Sequence, residues 1–137
     1  MELKVVTFNS ASLVSHAQRA TAQELVDSLK ADFFCVSETH LKSRHNVNFT
    51  GYNIIRDDTN SGSALLVRKD YAFEEVSIKN LQTCSAAAAL VKTNDNRRIL
   101  IAAVYIKCNS PSEQLGQDLQ ILSDLQSKSK SLIFGGD

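Results

Sequence analysis

Phe33-Phe34-Cys35-Val36-Ser37-Glu38-Thr39-His40-Leu41 is the stretch whose reading decides the fold. Its opening residues are apolar, β-branched or aromatic, the pattern of a strand buried on both faces. The run then stops at a carboxylate, a hydroxyl and an imidazole. Taken alone, Glu38 reads at least as well as the point where the strand leaves for solvent. A buried strand that ends in three polar groups also delivers them to a sheet edge, where ligands of open α/β folds sit.

Working outward, Leu3 to Phe8 is short and β-rich and predicts a first strand. It ends at the small, polar turn Asn9-Ser10-Ala11-Ser12. Ala22, Leu25, Val26 and Leu29 then fall at helical spacing. Two capping boxes compete for the start of that helix, Thr21 with Glu24 and Ser15 with Gln18. Lys30-Ala31-Asp32 closes it before the strand Phe33 to Ser37. Strand, helix and strand at this length call for a right-handed parallel crossover. Parallel neighbours place Asn9 and Glu38 at the same sheet edge.

Beyond a polar loop, Lys42 to Thr50, the strand Gly51 to Arg56 and the strand Ser63 to Arg68 flank a turn and predict a hairpin-like pair. Phe73 to Ile78 alternates and predicts a half-exposed edge strand. Ala86 to Lys92 and Arg98 to Lys107 flank the turn signal Thr93-Asn94-Asp95-Asn96-Arg97. Ile99 to Tyr105 is the most hydrophobic run and should be a central strand, with polar groups at its end near Tyr105 and Asn109. Pro111 opens a second helix with Leu115, Leu119, Leu122 and Leu125 on one face. Ser131 to Asp137 reads as a strand ending in Gly-Gly-Asp, so the chain looks cut. Helix-linked strands at both ends with hairpins between them predict an α/β architecture, a mixed sheet or a sheet pair with covering helices.

The 137 residues predict one domain, and 43% hydrophobic with 22% charged residues is an ordinary globular composition. Fifteen basic and fifteen acidic residues cancel. That argues against a protein held to nucleic acid mainly by bulk electrostatics, while leaving room for one local groove. Cys35, Cys84 and Cys108 form no CxxC pair and read as reduced packing residues of an intracellular protein. The N-terminus has no signal-peptide pattern, and no apolar run reaches the length of a membrane span. P-loop, G-x-G-x-x-G and G-x-S-x-G patterns are absent, so neither dinucleotide binding nor serine hydrolysis has support.

Three strand ends carry candidate chemistry: Asn9, Glu38 and Asp137. One amide and two carboxylates are hard oxygen donors suited to Mg²⁺, which keeps waters and takes few protein ligands. Each residue also has a plain structural reading, Asn9 as a turn former and Asp137 as a cap or exposed end. Tyr105 is either core or a hydrogen-bond donor to a phosphate. His16, His40 and His45 lack metal-ligand spacing. His40, Arg56 and Asn109 are taken as candidate substrate contacts.

The order of these pieces resembles the endonuclease/exonuclease/phosphatase superfamily. More narrowly, it is similar to the apurinic-like endonuclease domain of non-LTR (LINE-type) retrotransposons. The carrying residues are Thr7 to Leu13, Val36 to Leu41, Tyr52 to Asp57 leading into Ser61 to Val67, Val104-Tyr105-Ile106 and Phe134 to Asp137. The resemblance implies a two-sheet αββα sandwich that cleaves a phosphodiester with Mg²⁺, or with Mn²⁺ in its place. By matching position, Glu38 would be the main metal ligand and Asn9 would support the metal or phosphate. Tyr105 would contact the scissile phosphate, and Asp137 would orient or deprotonate the attacking water. The implied parent nicks DNA in the nucleus to prime the reverse transcriptase domain carried on the same chain, with no part played by a membrane.

Departures from the family pattern accompany the matches. Ser37 stands where Gln is usual, Ser12 where Gly is common, Ala11 where cellular repair members are acidic, and Lys107 where Pro is frequent. The Asn that follows Asp137 in the family is absent, as are a later Asp and a closing Asp-His pair. The expectation is therefore the N-terminal portion of such a domain, inactive by itself and prone to aggregate or to take a partner. The alternatives are another phosphoesterase of the superfamily, an exonuclease or a phosphatase of small or lipid substrates, or a decayed or co-opted fragment that no longer catalyses.

Overall fold

A computed structural model of the chain describes residues 3–107, 111–124 and 132–136, the last of these as backbone. Among the described residues, eight strands form two four-stranded sheets. Strands β1 (Val5–Asn9), β2 (Phe33–Ser37), β3 (Tyr52–Asp57) and β4 (Ser63–Arg68) make the first, in the order β1-β2-β4-β3. Strands β5 (Ala72–Val76), β6 (Cys84–Lys92), β7 (Arg98–Ile106) and β8 (Leu132–Gly136) make the second, in sequence order. The expected crossover is present: β1 and β2 are parallel, with Asn9 opposite Ser37. The β3–β4 and β6–β7 pairs are antiparallel, β5 lies at an edge and β7 is central.

Helix α1 (His16–Leu29) starts at the Ser15 cap, where the Ser15 hydroxyl and the Gln18 side chain satisfy each other's backbone N–H. It ends at Lys30 in left-handed conformation. Its Ala22 and Val26, with Leu13, cover Phe34, Val36 and Leu66 on the outer face of the first sheet. The other faces of the same strands, through Phe33, Cys35, Leu65 and Val67, meet Ala87, Ala89, Val91 and Ile101 of the second sheet. All five residues of β2 are buried because both of its faces are covered, which is why its sequence does not alternate. Cys35 and Cys84 are free and buried, and desolvation pushes the Cys35 thiol up to about 12, so it is inert packing. Cys108 lies outside the described residues.

Helix α2 (Ser112–Ser123) covers the outer face of the second sheet through Leu122, one of the expected leucine face, but that face is turned so that Leu119 does not dock with it. Leu119 is 48% exposed, whereas Asp118 is fully buried. Leu125 is outside the described residues. The reason is a cluster of donors in the β5–β6 connection. The backbone N–H groups of Gln82, Thr83 and Cys84 and the Thr83 hydroxyl all donate to the Asp118 carboxylate at 2.6–3.1 Å. Buried backbone donors must find acceptors, so this carboxylate sets which side of the helix faces inward. The result is four layers, helix, sheet, sheet and helix, the αββα sandwich expected from the motif order.

Candidate active site

The strand ends at one edge of the sandwich are tied together by polar groups. Past Asn9, the Ser10 N–H donates to the Ser37 carbonyl at 3.0 Å. The Ser10 hydroxyl reaches the Ser37 and Glu38 carbonyls at 3.1 and 3.0 Å. Farther on, the Leu13 N–H donates to the Thr39 carbonyl at 2.9 Å. Asn9 turns the chain locally, its side-chain oxygen accepting the Ala11 N–H at 2.8 Å.

Glu38 and His40 both have left-handed backbone, with φ of 54° and 53°. Such conformations are uncommon outside glycine and persist where the surroundings hold them. Here the hold comes from the β3–β4 turn. The His40 N–H donates to the Ser61 carbonyl at 2.9 Å, and Thr39 is buried against Gly62. Gly62 has φ of 89°, and a Cβ there would lie 2.1 Å from the Thr39 hydroxyl oxygen. Only glycine fits.

The second sheet closes over this corner. Asn60 donates from its amide to the Cys84 carbonyl at 2.9 Å. The Ser63 and Ser85 hydroxyls lie 2.6 Å apart, and the Ala86 N–H donates to the Asp57 carboxylate at 2.8 Å. Ser85 pairs with Tyr105 across the β6–β7 ladder. These ties bring the buried Tyr105 ring beside Glu38, and the Tyr105 hydroxyl donates to Glu38 Oε1 at 2.9 Å.

Glu38 and Tyr105 are therefore joined directly, and Asn9 stands at the neighbouring strand end. His40 is exposed just beyond. Arg56, expected to contact substrate, has its donors committed elsewhere. Nε and Nη2 donate to Asp58 at 3.1 and 2.7 Å, Nη1 to the His45 carbonyl at 2.6 Å, and Nη2 also to the Lys42 carbonyl at 2.9 Å. Asn109 and Asp137 lie outside the described residues. Ser10, Asp57, Asn60, Ser63 and Ser85 support the site without having been anticipated. For Ser63 and Ser85 the sequence signal is a weak one, a hydroxyl at the first or second position of an otherwise apolar strand; Ser10, Asp57 and Asn60 stand in or beside turns, where such residues are common.

Among the described residues, no group of three or more His, Cys, Asp or Glu side chains gathers as a metal cluster. By donor type, Glu38 and Asn9 suit a hard cation. A carboxylate and an amide oxygen at adjacent strand ends, partly open to solvent, suit an ion that retains its waters. With Tyr105 on one lone pair of Oε1, the second carboxylate oxygen of Glu38 remains the natural donor.

No protein-family model matches the chain, and no curated protein sequence does. Solved structures do match, and the three that follow each cover 98% of the chain. The endonuclease domain of TRAS1, a telomere-specific non-LTR retrotransposon, superposes with TM-score 0.72 at 18% identity, and 59% of its length is spanned. The AP endonuclease LMAP from Leishmania major gives 0.72 at 14% identity over 54% of its length. The human Nocturnin catalytic domain with bound sulfate gives 0.69 at 19% identity over 63% of its length. The fold is thus of the endonuclease/exonuclease/phosphatase type, and the chain spans a little over half the length of these structures. Among the described residues, no helix is long and apolar enough to cross a membrane.

Proposed function

We propose that the chain is the N-terminal portion of a Mg²⁺-dependent phosphodiesterase domain whose parent protein nicks DNA. The observation that carries this reading is the Glu38–Tyr105 hydrogen bond, at 2.9 Å, between the ends of strands from opposite sheets, with Asn9 alongside. A tyrosine hydroxyl aimed at a carboxylate orients that carboxylate and is itself held ready to donate. Glu38 and Asn9 would hold the ion, with Mn²⁺ able to replace Mg²⁺. When bound, it neutralises charge on a phosphodiester and on the leaving oxygen.

Tyr105 has two tasks in this reading. It fixes one oxygen of Glu38, leaving the other for the ion, and it would contact the scissile phosphate by turning its single O–H from Glu38 to a phosphate oxygen. Asp137 would orient or deprotonate the attacking water. The fold-level likeness to a retrotransposon endonuclease domain supports DNA as the substrate. In this reading the parent acts in the nucleus, priming a reverse transcriptase domain on the same chain.

The test is nicking of supercoiled plasmid in Mg²⁺. The 137-residue chain should leave the plasmid intact. In the parent protein, Glu38→Gln should abolish nicking, and Tyr105→Phe should lower it about 10- to 100-fold, the usual cost of removing a partner that orients a metal ligand. Parent protein that nicks equally well without Glu38 would overturn the assignment.

A further inference from the structure

We propose that the turn from Lys42 to His45 grips the sugar-phosphate backbone of DNA beside the Glu38 site, with Arg56 as the positioning residue that builds it. The proposal rests on the nuclease reading above and adds where the substrate's flanking phosphates are held.

The turn is unusually well fixed for a loop tip. Leu41 and Val47 are buried on either side of it. The His45 N–H donates to the Lys42 carbonyl at 2.9 Å, and the Lys42 N–H donates back to His45 Nδ1 at 2.9 Å. From outside, Arg56 donates to both carbonyls, of His45 at 2.6 Å and of Lys42 at 2.9 Å. Asp58 in turn holds Arg56 through a 2.7 Å ion pair. One planar guanidinium thus joins the two ends of the turn and is neutralised on its far side.

What the turn presents is positive charge. Lys42, Ser43 and Arg44 are exposed, and His40 is exposed just before them. Among the described residues, no carboxylate forms an ion pair with Lys42 or Arg44. By contrast, Arg68 and Arg97 are paired with neighbouring aspartates. In a chain with zero net charge, attraction for a polyanion has to come from such a local, uncompensated group.

Position selects the ligand. Lys42 follows Glu38 by four residues, which limits their Cα separation to about 14 Å. One strand of DNA places a phosphate every ~3.4 Å along the axis, so the turn reaches phosphates within about four nucleotides of the Glu38 site. Rigidity matters as well, because a pre-ordered cationic turn loses little entropy on binding. Contacts of this kind set register on the duplex and carry no base preference.

The experiment is binding of the 137-residue chain to fluorescein-labelled duplex DNA, read by anisotropy across a salt series in EDTA. The double variant Lys42→Ala/Arg44→Ala should bind more weakly, with the slope of log affinity against log salt reduced by about 1.8, the value for two released phosphate contacts. Lys92→Ala/Arg98→Ala, at the opposite end of the β6–β7 hairpin, should leave the slope unchanged. Arg56→Lys keeps the charge but cannot bridge both carbonyls and Asp58. It should weaken binding while circular dichroism stays native.

An unchanged slope in the Lys42/Arg44 variant would overturn the proposal. So would an equal loss in the Lys92/Arg98 variant, or no measurable binding by the wild-type chain. Because binding is read without metal or turnover, its failure leaves the nuclease reading standing. Loss of that reading through Glu38→Gln would leave the slope as measured.

Discussion

At the scale of single residues, the corner beneath Glu38 depends on a glycine. Gly62 has φ of 89° and no room for a Cβ because the Thr39 oxygen occupies that space. Gly62→Ala should therefore destabilise the fold by about 2–4 kcal/mol, combining left-handed strain with overpacking. Thr39→Ala added to it should recover the steric part, since the offending atom is the Thr39 hydroxyl, which is itself buried without a hydrogen-bond partner. Urea denaturation of the four proteins of this cycle measures both effects. Glu38 itself was legible: an apolar run that stops at a carboxylate marks a sheet edge. Tyr105 was singled out as well, but its pairing with Glu38 was not, because the two lie 67 residues apart and no local periodicity encodes that contact. Arg56 misleads for a related reason. A strand-end arginine reads as substrate-facing until the carbonyls of a loop eleven and fourteen residues earlier are seen to use its donors.

Elements were read more reliably than their orientation. Both helices and all eight strands follow from spacing, turns and caps, and between two candidate caps the structure selects Ser15. Helix α2 shows where such reading stops. A leucine stripe identifies a helix but cannot decide which side docks when a buried carboxylate has donors waiting 34–36 residues away. Burial pushes the Asp118 carboxyl up, but the hydrogen bonds from Gln82, Thr83 and Cys84 outweigh it and hold the group below the ordinary value. A carboxyl lowered in the folded state stabilises the protein above its unfolded pKa, near 3.9, and loses that contribution as pH falls further. Asp118→Asn should cost about 2–3 kcal/mol at neutral pH, since an amide leaves some of these donors unsatisfied. The gap from wild type should narrow below pH ~4. Urea midpoints of the two proteins from neutral pH into acid follow it; a gap that stays constant would show that Asp118 docks the helix by shape alone.

Across the whole molecule, the two sheets differ in how their edges are finished. β1 and β8 are each an outermost strand, and β8 packs against β1 and β2 of the opposite sheet, so both edges lie on one flank. Among the described residues, neither has a partner strand on its outer side. The margin is apolar as well. Leu3, Val5, Val6 and Phe8 are only partly buried, and Phe8, Ala17, Thr21 and Leu25 line a groove of about 420 Å³ between β1 and α1. Unpaired backbone beside apolar side chains is a template for another strand. The sequence alone predicted a partial domain prone to aggregate or to take a partner; it could not tell which strands would be outermost, because edge order depends on crossovers rather than on composition. The chain should therefore associate in solution in a concentration-dependent way. Thr7→Lys, which puts a charge at an exposed position of β1, should shift it towards monomer without loss of secondary structure. Light scattering coupled to size-exclusion chromatography over a dilution series checks this. A wild-type chain that remains monomeric throughout would mean that this flank is not an adhesive edge, and Thr7→Lys would then change nothing.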